Sequence, residues 1–151
     1  MIQLDWIDPY IISNSLQFGT KLVIHGKICL QVVHGDLAAR NILLTHNNLV
    51  KICDFGLAKT VYNDPDYKRN SKAPLPIKWM AIESIRDLVF SSQSDVWSFG
   101  IMLWEFFTLA ESPYPGIPVD LVYQKLLEGY RMECPYLASP EMLVPLKIKL
   151  Q

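Results

Sequence analysis

The stretch His34-Gly35-Asp36-Leu37-Ala38-Ala39-Arg40-Asn41, with Asp54-Phe55-Gly56 after it, decides how the rest of the chain is read. Asn41 stands five residues and Asp54 eighteen residues after Asp36. Between the two segments, Asn41–Leu44 and Leu49–Cys53 read as two short strands, joined by a turn at Thr45-His46-Asn47-Asn48. Such a hairpin brings positions 41 and 54 side by side. A carboxylate, a guanidinium, a carboxamide and a second carboxylate then share one small region.

Moving outward, the pattern becomes helical. Ser92-Gln93-Ser94-Asp95 has the form of a capping box opening a helix. The run behind it, Val96 to Trp104, is apolar on nearly every face, which suits a helix in the middle of a domain. Asp120–Glu128 is amphipathic instead, with Val119, Val122, Tyr123, Leu126 and Leu127 on one stripe, Pro118 before it and Gly129 after it. Residues 54–78 are rich in Asp, Asn, Lys and Pro and read as a long ordered loop, a kind of segment that is usually functional. Residues 1–31 show no clean period; Val23-Ile24-His25-Gly26 is nearly repeated at Val32-Val33-His34-Gly35. The fold class expected is mainly α with a small β-hairpin.

Composition narrows the function. The 151 residues amount to one domain or a piece of one, and half of them are apolar. Charged residues make up only 19%, so more surface than usual is available for burial against something else. Fourteen basic residues against fifteen acidic ones leave no electrostatic footprint for nucleic acid and no basic stripe for an anionic membrane. Cys29, Cys53 and Cys134 are scattered and lack any CxxC spacing, which argues for reduced thiols over a disulfide scaffold or a zinc site. The longest apolar stretch, Val96 to Ala110, has 15 residues with Glu105 inside it, short of the roughly 20 a membrane helix needs.

The segment at 34–41 resembles the protein-kinase catalytic loop H-R-D-L-x-x-x-N, and Asp54-Phe55-Gly56 resembles the metal-binding D-F-G of that family. Asp95-Val96-Trp97-Ser98-Phe99-Gly100 is similar to the central helix of the kinase C-terminal lobe, and Ala81-Ile82-Glu83 stands where the family has A-P-E. Ala38-Ala39-Arg40 and Leu75-Pro76-Ile77-Lys78-Trp79-Met80 resemble the tyrosine-kinase forms of the catalytic loop and substrate platform. Val61 to Tyr67, Ser112-Pro113-Tyr114-Pro115-Gly116 and Gly129-Tyr130-Arg131-Met132 look closest to receptor tyrosine kinases of the platelet-derived and vascular endothelial growth factor type.

The resemblance implies a kinase C-terminal lobe with Asp36 as proton acceptor and Arg40 bracing the tyrosine acceptor. It implies Asn41 and Asp54 as magnesium ligands, Leu43 as the floor of the adenine pocket, and ATP with Mg2+ as cofactors. Tyr67 matches the activation-loop autophosphorylation site, Tyr62 is a second candidate, and Pro76 and Trp79 belong to the substrate platform. Simpler roles also follow from the residues themselves. His34 reads as a packed, hydrogen-bonded histidine, Trp97, Trp104, Phe106 and Phe107 read as core, and Leu43 is buried in any hairpin.

Two positions depart from the family: Gly35 replaces an arginine, and Ile82 replaces the proline of A-P-E. Residues 1–31 match no part of the family, so the N-terminal lobe with its phosphate loop and strand lysine is expected to be absent. Residues 32–142 read as a partial kinase domain and 143–151 as a divergent tail. The expectation is a piece of a longer protein, inactive by itself, from a single-pass receptor with its kinase on the cytoplasmic side of the plasma membrane. Such a receptor dimerises on ligand binding and acts on protein tyrosines. The alternative is a catalytically inactive kinase-like fragment that serves as a protein-binding module. A serine/threonine kinase is disfavoured by Arg40 and Pro76.

Overall fold

The structure is a computed structural model that describes residues 33–46, 50–57 and 75–138, and the backbone alone of short strands at 22–24, 27–29, 32, 59–60 and 67–68. The strands are β1 (Leu22–Ile24), β2 (Lys27–Cys29), β3 (Val32–Val33), β4 (Ile42–Leu44), β5 (Val50–Ile52), β6 (Lys59–Thr60), β7 (Tyr67–Lys68) and β8 (Val89–Phe90). The helices are α1 (Ile82–Asp87), α2 (Ser92–Phe107) and α3 (Val119–Leu127). Short 3-10 turns at Ala39–Asn41, Phe55–Leu57 and Ile77–Trp79 carry the segments of interest.

The expected hairpin is present as β4–β5, with Ile42 opposite Ile52 and Leu44 opposite Val50. Asn41 belongs to the 3-10 turn before β4 and not to the strand, so its side chain is aimed by a turn. The hairpin is not alone, because the described residues form four two-stranded antiparallel pairs. β1 pairs with β2 inside the unread segment 1–31, β3 pairs with β6, and β7 pairs with β8. The loop expected over 54–78 therefore includes two short strands and two 3-10 turns. Val32 faces Thr60, 28 positions on. Pairs of two residues bridging such gaps leave no local periodicity.

Helix α2 is the centre, as its apolar run implies. Trp97, Ile101, Met102, Leu103, Trp104 and Phe107 are buried, and Phe106 is half-buried. Its cap is shifted by one residue from the sequence reading. Ser91, not Ser92, is the N-cap, and its hydroxyl accepts from Ser94 N while Ser94 Oγ accepts from Ser91 N. Asp95 is thereby released from capping and accepts from the backbone of the 34–41 segment.

Helix α3 packs on α1 and on the 77–79 turn. Only the middle of its apolar stripe is covered: Val122 and Leu126 are fully buried, while Val119 and Leu127 are each 52% exposed. The main core joins Val122 and Leu126 with Ala81, Trp97, Ile101 and Tyr114. A smaller cluster joins Val33, Met80 and Phe90, with Leu75, Ile77 and Ile85 packed against it. Ile82 is the first residue of α1, where a proline's missing N–H would have been unpaired in any case, so this departure leaves the helix start intact.

Candidate active site

The 34–41 segment is anchored from below by one buried carboxylate. Asp95 Oδ2 accepts from His34 N at 2.6 Å and Oδ1 from Gly35 N at 2.9 Å. Gly35 sits at φ 75°, in the left-handed region, where a side chain costs about 1–2 kcal/mol. His34 is buried, as expected. Its Nε2 lies 3.0 Å from the carbonyl oxygen of Cys53, which can only accept, so Nε2 carries the proton and donates. Nδ1 is then the acceptor for Asp36 N at 3.3 Å. The edge of the His34 ring also meets Phe55, 4.7 Å between centroids. One imidazole thus ties the loop bearing Asp36 to the segment bearing Asp54.

Asp36 is held between two donors. Arg40 Nη2 pairs with Asp36 Oδ1, and Asn41 Nδ2 donates to Asp36 Oδ2 at 3.1 Å and to the Asp36 carbonyl at 2.8 Å. The Asp36 side chain remains 15% accessible and that of Arg40 44%. Asn41 itself is buried, and its carbonyl accepts from Cys53 N at 2.9 Å. That bond puts Asp54 one residue from Asn41's backbone partner. Asp54 is exposed at φ 59°, and its Oδ1 accepts from Gly56 N at 3.3 Å. A Cβ at Gly56 would stand 3.1 Å from that oxygen, so glycine leaves the carboxylate its place.

Two of these side chains offer oxygen atoms of the kind a magnesium ion prefers. The nitrogen of the Asn41 amide is committed to Asp36, which leaves its oxygen, and Asp54 adds a carboxylate; magnesium prefers such oxygen ligands.

Residues 76–79 are fixed by contacts to α2 and to the 112–116 loop. Pro76 is the cap of the 77–79 turn. The Trp79 carbonyl accepts from Ser98 Oγ at 2.7 Å, and its indole Nε1 donates to Glu105 Oε2 at 2.8 Å. Arg40 Cζ lies 4.5 Å from the centroid of the Trp79 ring. Lys78 Nζ donates to the Pro113 carbonyl at 2.7 Å, which ties this turn to the 112–116 loop.

Asp36, Arg40, Asn41 and Trp79 therefore form one cluster, and Asp54 adjoins it across the hairpin. Leu43 departs from its expected burial: it is 49% exposed, because a two-stranded hairpin has an open face and no described element covers it. The Tyr67 backbone sits in β7 opposite Phe90; its side chain, and Tyr62 altogether, lie outside the described residues. Glu83 stands in the first turn of α1, and no cation pairs with it among the described residues.

Two residues important to the site were missed in the sequence, Asp95 and Glu105. Glu105 is an acid within an apolar run, and that incongruity was an available signal; Asp95, in the polar first turn of α2, read as part of the helix start. Burial pushes both carboxyls above the ordinary carboxylate range. Hydrogen bonds from Gly35 and His34 to Asp95, and from Ala39 and Trp79 to Glu105, oppose the shift without cancelling it.

The protein tyrosine and serine/threonine kinase family matches residues 29–147. The chain belongs to that family. It is 62% identical to vascular endothelial growth factor receptor 3 from Danio rerio, 60% to receptor 2 from Coturnix japonica and 59% to receptor 2 from Mus musculus, each over 111 residues. Those alignments take in 73% of this kinase chain and 8% of each relative, so the chain spans a small part of the receptors it resembles. Over that stretch it is similar to part of the vascular endothelial growth factor receptors. No helix among the described residues is long and apolar enough to cross a membrane.

Proposed function

We propose that residues 32–142 form the acceptor- and metal-binding wall of a site that transfers the γ-phosphoryl group of ATP to protein tyrosine, within a receptor at the cytoplasmic face of the plasma membrane. The observation that carries this reading is the Asp36 carboxylate, held between Arg40 and Asn41 yet still open to solvent. A tyrosine hydroxyl arriving there meets a carboxylate that orients it and takes its proton. Arg40 lies beside the same carboxylate with its guanidinium on Trp79, placed to brace the phenol, and Pro76 supports the platform below. Asn41 and Asp54 would hold magnesium, which supplies neutralisation of phosphate charge when bound. Leu43, exposed on β4, offers an apolar surface to the adenine. Tyr67 and Tyr62 are the proposed autophosphorylation sites, and the parent receptor is proposed to dimerise.

Grafting residues 32–142 into the corresponding place of a relative's kinase domain tests the reading. The graft should phosphorylate tyrosine peptides, and Asp36→Asn should slow it by about 10²–10⁴-fold with its fold intact. Near-normal turnover of that variant removes Asp36 from its role, and a preference for serine overturns the reading of Arg40 and Pro76. A well-folded graft with no activity would favour the protein-binding module.

A further inference from the structure

We propose that Glu105, which lies outside the catalytic loop, is a positioning residue that holds Arg40 against Asp36 through the indole of Trp79. The inference rests on the tyrosine-kinase reading, since it concerns the arginine placed beside the acceptor.

Glu105 sits where a carboxylate is costly. Its helical neighbours Ile101, Met102, Leu103, Trp104 and Phe107 are buried, and Glu105 is only 8% exposed. A single oxygen, Oε2, accepts two hydrogen bonds, from Ala39 N at 2.9 Å and from Trp79 Nε1 at 2.8 Å. Both partners bear on Arg40. Ala39 precedes it in the same 3-10 turn, so its bond fixes the backbone from which the arginine springs. Trp79 carries the guanidinium on its ring face at 4.5 Å, and the same guanidinium pairs with Asp36.

Ser98, two helical turns before Glu105 on the same side of α2, holds the Trp79 carbonyl at 2.7 Å. The indole is thus fixed at its backbone and at its ring nitrogen. A planar guanidinium stacks on an indole face, and that contact depends on the orientation of the ring. Glu105 supplies the orientation. An arginine with 44% of its side chain exposed is in this way held on the indole face and against Asp36.

The test uses the 151-residue chain labelled with 15N. The side-chain Nε–H resonance of Arg40 and the indole resonance of Trp79 are followed in wild type, Glu105→Ala, Glu105→Gln and Trp79→Phe, with a short acidic tyrosine peptide as probe. In wild type, the Trp79 ring should displace the Arg40 resonance. Glu105→Ala should abolish that displacement and weaken peptide binding by about three- to tenfold. Glu105→Gln retains an acceptor oxygen and should preserve both. A purely structural Glu105 would leave the Arg40 resonance in place, and that result overturns the inference. A Gln variant as damaged as the Ala variant overturns the route through the shared oxygen.

If Glu105→Ala does not fold, Trp79→Phe decides. It keeps a ring and the Ala39 bond but removes the indole N–H, and an Arg40 resonance no more mobile than in a ring-matched reference overturns the proposal. Wild type that shows the Glu105-dependent resonance but binds no peptide overturns the acceptor reading, and the positioning role with it. Peptide binding that ignores Glu105 overturns this inference alone.

Discussion

Replacing Asp95 should damage the site without touching any residue that faces it. The carboxylate is buried and receives two backbone N–H groups, from His34 at 2.6 Å and Gly35 at 2.9 Å. Asp95→Ala leaves both donors without a partner in a place water does not reach, at about 1–3 kcal/mol each, or about 2–6 kcal/mol together. Part of that loss is offset, because the variant no longer buries a charge. The raised pKa of Asp95 shows that burial outweighs the relief from its hydrogen bonds. The net expectation is the lower half of the range, about 2–4 kcal/mol. Asp95→Asn keeps one acceptor oxygen but turns an amide NH2 toward the other donor, so it should lose about 1–3 kcal/mol. Urea unfolding at pH 7 measures both. With m of about 2 kcal/mol/M, the Ala variant should shift the midpoint down by about 1–2 M with m unchanged. Hydrogen exchange at His34 and Gly35 should accelerate in both variants. An Ala variant within about 0.5 kcal/mol of wild type, or one more stable than the Asn variant, would refute the assignment of Asp95 as the anchor.

The remaining expectations concern packing, ionisation and the backbone. Leu126→Ala should cost about 2–5 kcal/mol in the urea midpoint, whereas Val119→Ala and Leu127→Ala on the same helix should stay within about 0.5 kcal/mol. Glu105 has its folded pKa raised above the ordinary 4.5, so the neutral acid is the form that folding favours. Its contribution is complete below 4.5 and is lost as pH rises through the folded value; wild type should therefore lose stability relative to Glu105→Gln between acid and neutral pH in parallel unfolding titrations. Gly35→Arg restores the family's side chain at φ 75° and should lower the thermal midpoint by the equivalent of about 1–2 kcal/mol, although a Cβ there meets Leu57 and Phe90 only at ordinary contact distances, 3.5–3.8 Å.

The chemistry of this protein is written in short, local stretches of its sequence. The order of Asp36, Arg40, Asn41 and Asp54, the hairpin between the last two, the apolar α2 and the amphipathic α3 each follow from residues a few positions apart. Such patterns survive in sequence because a turn, a strand pair or a helix face is built from near neighbours. Tertiary structure decided what those elements do to one another. Ser91 took the cap that Ser92 was expected to fill, which freed Asp95 to bind residues 60 and 61 positions away. Glu105 reached Ala39 across 66 positions, and β3 found β6 with only two residues on each side. Leu43 faced solvent because burial depends on what lies over a strand, not on the strand itself. A buried acid in an apolar helix announces by its type alone that something must bond to it; which backbone N–H that is depends on how the chain folds back, and only packing determines that.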